Sequence, residues 1–129
     1  MFRFEKLDVW QKAVEYADLI YRMTQAFPAE ERFGLTSQLR RSAVSISSNI
    51  AEGTSRSSDS DLARFVEIAY GSLLETVSEM EISKRQDFVN EQMFKKAYKE
   101  AEALARMLSG LRRTLKKKPD SRVRRVESE

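Results

Sequence analysis

The sequence predicts an all-α protein, an antiparallel up-down-up-down four-helix bundle, on three observations. Apolar residues recur at spacings of three and four along four separate segments. Glycine and proline number only four and two, and they fall at segment boundaries or where close packing would explain them. No stretch alternates apolar and polar residues for long enough to make a useful strand. Four amphipathic helices with short connections pack as alternating antiparallel neighbours.

The first helix is expected from about Asp8 to Ala26, with Trp10, Ala13, Val14, Ala17, Tyr21 and Thr24 on its inner face and Pro28 forcing an exit. Thr36 is the expected N-cap of the second helix, whose seam is Leu35, Leu39, Ser42, Ile46, Asn49 and Gly53, with Gly53 its stop. The third helix, about Asp61 to Arg85, carries Leu62, Val66, Ala69, Leu73, Thr76 and Met80, with Ser58 and Asp61 able to form a capping box. Asn90 reads as the N-cap of the fourth, flanked by Val89 and Phe94 as a hydrophobic staple. That helix has the cleanest row: Phe94, Ala97, Ala101, Leu104, Leu108, Leu111 and Leu115. Pro119 ends any helix, so residues 1–118 form the bundle and 119–129 a basic, flexible tail.

Between Ile46 and Ile50 nothing larger than Asn49 occurs. Small residues at a seam allow two helix backbones to approach closely. Counting back from the loop near Ser57 sets Gly71 beside Ala43, and Gly inside a helix costs about 1 kcal/mol against Ala, so it needs a compensating reason. Close approach supplies one; serines that merely face water are the alternative. Asn49 on the seam can fix register. The same counting brings Arg40 or Arg41 near Glu75 for an interhelical ion pair.

Beside the first helix's inner row lies a second one, Tyr16, Leu19, Met23 and Phe27. Val44 on the second helix, and Tyr70 and Leu74 on the third, also lie off their seams, and Phe2, Phe4, Phe33 and Phe88 need cover. Rows of surplus apolar residues point to contact with another copy of the chain, and these seven off-seam positions are the expected oligomer interface. A core wide enough to reach around each helix is the alternative.

Composition excludes much chemistry. The chain has no His and no Cys, so the usual zinc sets and the Ser-His and Cys-His nucleophile pairs are absent. Glu52, Glu75 and Glu79 are the only catalytic candidates; they resemble a di-iron carboxylate set, but that chemistry wants Glu-x-x-His motifs. No enzyme activity, metal or cofactor is expected. The N-terminus lacks a signal-peptide core and no stretch is long and apolar enough to span a bilayer, so a cytoplasmic location is expected.

The net charge of +3 is unevenly spread. Arg112, Arg113, Lys116, Lys117, Lys118, Arg122, Arg124 and Arg125 face one acid, Asp120, over residues 112–125, while residues 1–111 are slightly acidic. These eight are the candidate nucleic-acid contacts, since phosphates attract such a cluster whatever the sequence. No aromatic residue lies beyond Tyr98, so base stacking would not come from the tail. A solvated tail is the plain alternative.

"LDVWQKAVEYADLIYRMT", "FPAEERFGLTSQLRRSAVSISSNIAEG" and "RFVEIAYGSLLET" together resemble the four-helix-bundle family named after intervening sequences in 23S ribosomal RNA genes. The likeness spans roughly residues 7–77, with "QLRR", "NIAEG" and "GSLLE" its more specific parts. It implies an antiparallel bundle assembled in a ring, with a pentamer expected, and no catalytic residues. A more distant resemblance is to the accessory protein of diversity-generating retroelements, whose ring binds nucleic acid. Arg40, Arg41, Asn49, Glu52, Gly53, Gly71 and Glu75 carry over as signature positions. Relatives often have Pro where this chain has Ser47, so no proline kink is implied here.

Two functions fit these expectations. One is an oligomer binding structured RNA or DNA through its basic C-terminal segment with low sequence specificity. The other is an oligomeric scaffold that docks a protein partner without nucleic acid.

Overall fold

The computed structural model describes residues 1–117. Four helices follow one another: α1 (Asp8–Thr24), α2 (Leu35–Gly53), α3 (Asp59–Arg85) and α4 (Glu91–Lys117). A single 3-10 turn, Arg3–Lys6, precedes α1, and another, Ala29–Glu31, lies between α1 and α2. Polar contacts fix the topology. Arg3 donates to the Thr54 carbonyl at one end of the α1–α2 pair and Arg40 reaches Thr24 at the other. Ser45 meets Ser72 and Ser42 meets Glu75 between α2 and α3. Lys84 pairs with Glu91, and Arg112 with Glu67, between α3 and α4. Each helix therefore runs antiparallel to the next, and Lys12–Glu100 closes the ring of four between α1 and α4.

The expected rows of α3 and α4 form the core: Leu62, Val66, Ala69, Leu73, Thr76 and Met80 are buried, as are Phe94, Ala97, Ala101, Leu104 and Leu108. Ser58 and Asn90 both act as caps, although Asp61 does not return the bond that a capping box needs. The Ser58 hydroxyl accepts from the Asp61 amide at 3.1 Å, and Asn90 Oδ1 accepts from Met93 at 2.8 Å. The Ser/Thr-rich break after α2 also has a purpose. Thr54 and Ser55 turn their hydroxyls back onto the carbonyls of Ala51 and Glu52, each at 2.7 Å, adding a second hydrogen bond to carbonyls that already accept the Thr54 and Ser55 amides.

α1 differs from expectation. Its buried row is Val9, Ala13, Tyr16, Ile20 and Met23, with Leu19 alongside, while Tyr21 is 42% exposed. The four residues expected at an oligomer interface on this helix and just after it, Tyr16, Leu19, Met23 and Phe27, are therefore interior. The physical reason is pairing. Tyr16 can be buried because its hydroxyl meets Thr76 Oγ1 at 2.7 Å, and Phe27 is covered by the Phe88 ring, 5.7 Å away. Phe4 likewise lies edge-on to the half-buried Trp10. Of the expected interface, Val44 and Leu74 remain exposed (41% and 50%), with Tyr70 half-buried.

Thr36 is not a cap. It lies inside α2 and is buried, while Gly34 holds the N-cap position and Glu31 accepts from the Leu35 amide at 3.2 Å. A carboxylate one turn upstream thus replaces the hydroxyl the sequence suggested.

The close approach expected at Gly71 falls at Gly53 instead. Gly71 is exposed, and a Cβ there would meet nothing within 4 Å, so it does not face Ala43. Gly53 is the close approach: a Cβ would stand 2.8 Å from Leu62 Cδ1 and 2.9 Å from Phe65 Cβ. Close α2–α3 packing is thus real and continues through the Ser45–Ser72 hydroxyl contact at 2.9 Å.

Candidate nucleic-acid interface

Antiparallel packing sets the last turns of α4 beside the first turns of α3, at the end of the bundle that also holds the α2–α3 loop. Arg112, Arg113, Lys116 and Lys117 are exposed on those turns. Glu67 of α3 takes two of them, Arg112 at 3.0 Å and Lys116 at 2.6 Å. The Lys116 hydrogen bond, with help from Arg112, holds the Glu67 carboxyl below its ordinary range. Among the described residues, Arg113 and Lys117 have no ion-pair partner. Lys118, Arg122, Arg124 and Arg125 lie outside the described residues.

Three further cations share this end: Arg3, Arg56 and Arg64. Arg56 and Arg64 flank the Phe65 ring at 4.6 and 5.0 Å, and Arg56 also pairs with Glu52. Sequence reasoning missed them because each is isolated along the chain; only the helix pairing gathers them.

The signature positions divide between packing and surface. Asn49 is half-buried and donates to both the Ser45 carbonyl (2.8 Å) and the Ser45 hydroxyl (3.0 Å), extending the Ser45–Ser72 contact by one more bond. Glu52 is exposed. The expected pair between Glu75 and Arg40 or Arg41 is not formed. Arg40 lies over the Tyr21 ring at 4.5 Å with its Nε on Thr24 Oγ1 at 2.8 Å, and Arg41 reaches Ser37. Glu75 instead accepts from Ser42 at 3.2 Å.

Glu75 and Glu79 lie a turn apart on α3, with Ser42 beside them. Burial, and then the neighbouring Glu75 charge, lift the Glu79 carboxyl above its ordinary range, and Ser42 offsets part of the rise. One Glu79 oxygen is buried with no hydrogen-bond partner among the described residues. Tyr16, on the same polar line, is pushed up to about 12, chiefly by burial, with Glu79 adding and Thr76 opposing. No group of three or more potential metal ligands occurs among the described residues. No helix among them is long and apolar enough to cross a membrane.

A family model described as 23S rRNA-intervening sequence protein matches residues 5–110. A solved structure from Bacteroides thetaiotaomicron, a protein with unknown function from the S23 ribosomal protein family, superimposes with a TM-score of 0.72 at 23% identity. That match covers 80% of this chain and 96% of the other. No curated protein matches the chain.

Proposed function

The chain belongs to the 23S rRNA-intervening sequence protein family, and from that premise we propose that it is a non-catalytic, oligomeric nucleic-acid-binding protein. The observation that carries this reading is the cationic end of α4. Four bases occupy its last two turns, and Glu67 is the one carboxylate ion-paired to them among the described residues. The sequence then adds Lys118, Arg122, Arg124 and Arg125 against Asp120. Such a cluster attracts phosphates by releasing condensed counterions, which gives affinity without sequence preference. Several copies in one ring would present these ends together and raise the effective concentration of each contact. Absence of His and Cys supports a role without catalysis or a metal.

The test is binding of a labelled RNA hairpin and a duplex DNA across a salt series, for the full chain and for a chain ending at Leu115. The full chain should bind both, with log K falling against log salt by about 0.9 per duplex phosphate contacted. Equal affinity of the two chains removes the tail from the function. Light scattering tests the oligomer, for which a pentamer is the expected form.

One observation favours the scaffold reading instead. A groove of about 440 Å³ between α3 and α4, lined by Val77, Ile82, Phe94 and Tyr98 among others, exposes apolar surface suited to a protein segment. No binding of either nucleic acid at low salt would turn the question to that groove.

A further inference from the structure

A second cationic site lies at the opposite end of the bundle from the α4 terminus, where the α1–α2 connection meets the start of α2. Arg32, Phe33, Ser37, Arg40, Arg41 and Tyr21 line a groove of about 460 Å³ there, with no carboxylate in its lining. Glu31, the nearest acid along the chain to this stretch, is engaged as the α2 cap. Among the described residues, none of the three arginines makes an ion pair. Three guanidinium groups lining one groove repel one another, and an anion in the groove relieves that.

Arg40 is already set in place by Thr24 Oγ1 and the Tyr21 ring, and Arg41 by Ser37 at 3.3 Å. Little side-chain freedom is left to lose on binding. Phe33 is different. It is 88% exposed, with the Arg32 guanidinium over its ring at 5.4 Å and its other face open. An aromatic face in water next to guanidinium groups matches a base with its phosphates, since every base has a π-face that stacks on a ring. Bases within a duplex are already stacked on one another, so the site discriminates in favour of unpaired ones.

We propose that the groove formed by Arg32, Phe33, Arg40 and Arg41 binds a single-stranded nucleic-acid segment, with Phe33 stacking on an unpaired base and the arginines contacting its phosphates. The inference rests on the nucleic-acid reading above and supplies the stacking that the aromatic-free tail lacks. The groove lies on the first turns of α2 and the other basic cluster on the last turns of α4, so residues of one site can be changed without touching the other.

The experiment uses the full chain, a labelled oligouridylate of about six nucleotides and a labelled duplex DNA. Phe33→Leu should weaken oligouridylate binding about tenfold and leave duplex binding unchanged, while Phe33→Trp retains both. Arg41→Gln should flatten the oligouridylate salt slope by about 0.7. A full chain with Arg113, Lys117, Lys118, Arg122, Arg124 and Arg125 all changed to Gln should lose the duplex and keep the oligouridylate. Unchanged oligouridylate affinity in Phe33→Leu overturns the groove site, as does loss of both probes in the tail variant. If the Phe33 change acts and the tail changes do nothing, the groove stands and the tail reading falls. If Phe33→Leu alters the oligomer mass in place of oligouridylate affinity, a second copy occupies the groove and the proposal is overturned.

Discussion

Replacing glycine by alanine should have opposite effects at two places in this bundle. At Gly53 the new methyl would lie 2.8 Å from Leu62 Cδ1 and 2.9 Å from Phe65 Cβ. Leucine's terminal carbon can swing aside, but Phe65 Cβ is attached directly to the α3 backbone. The helices must therefore separate, and overpacking of this kind costs about 1–3 kcal/mol. Gly53 is the last residue of α2, so little of alanine's helix propensity offsets the cost. At Gly71, mid-helix and exposed with nothing within 4 Å of a Cβ, the same change adds helix propensity and nothing else, a gain of about 1 kcal/mol. For a chain of this size each kcal/mol moves Tm by about 4 °C. Calorimetry should place Gly53→Ala about 4–12 °C below the parent and Gly71→Ala about 4 °C above it. Equal shifts of the same sign would refute the assignment of close packing to Gly53.

Other perturbations probe the polar groups. Tyr16 has its folded pKa raised to about 12, so the neutral phenol's contribution is present below pH 10 and is lost as pH rises through that value. Two pKa units correspond to about 2–3 kcal/mol, and Tyr16→Phe should abolish this alkaline loss, read by circular dichroism from pH 9 to 12, at a neutral-pH cost of about 1 kcal/mol. Glu79 also has a raised folded pKa, so the stability linked to it is full at low pH and is lost as pH rises. Glu79→Gln should raise Tm at pH 7.5 and leave it unchanged below the carboxylate range, and a flat difference across pH would sink that account. Glu67→Gln releases Arg112 and Lys116 and should tighten duplex binding several-fold at low salt with a steeper salt slope, measured by fluorescence anisotropy. No change there would mean that those two cations do not face the nucleic acid.

What the sequence made legible depended on how many apolar rows a helix carries. α3 and α4 present one dominant row each, so Leu62 to Met80 and Phe94 to Leu108 were readable by spacing alone. α1 carries two neighbouring rows, and the choice between them turned on Thr76, sixty residues away, whose hydroxyl pairs with that of Tyr16. Periodicity contains no such information. The glycines failed for a related reason: counting from a loop gives a level along the helix but not the side of the helix that faces the neighbour. The cationic end of α4 was visible as a run of bases. Glu67's claim on two of them, and the gathering of Arg3, Arg56 and Arg64 nearby, required the helices to be paired first.

Returning Tyr16, Leu19, Met23 and Phe27 to the interior narrows what self-association can use. Scattered exposed apolar residues are ordinary on any surface, so Val44 and Leu74 alone do not demand a partner. They do make a test of assembly, because neither is needed by the core: both are exposed at 41% or more, and since Val44 also lines the groove beside Arg41 the readout is oligomer mass, not nucleic-acid affinity. A doubly charged variant, Val44→Glu with Leu74→Glu, should keep its helicity and thermal transition. If copies of the chain meet through this surface, burying two unpaired carboxylates in the contact would be far costlier than exposing two aliphatic side chains. Light scattering at tens of micromolar should then show the assembly replaced by monomer. An unchanged oligomer mass in a folded double variant would move the interface away from both residues.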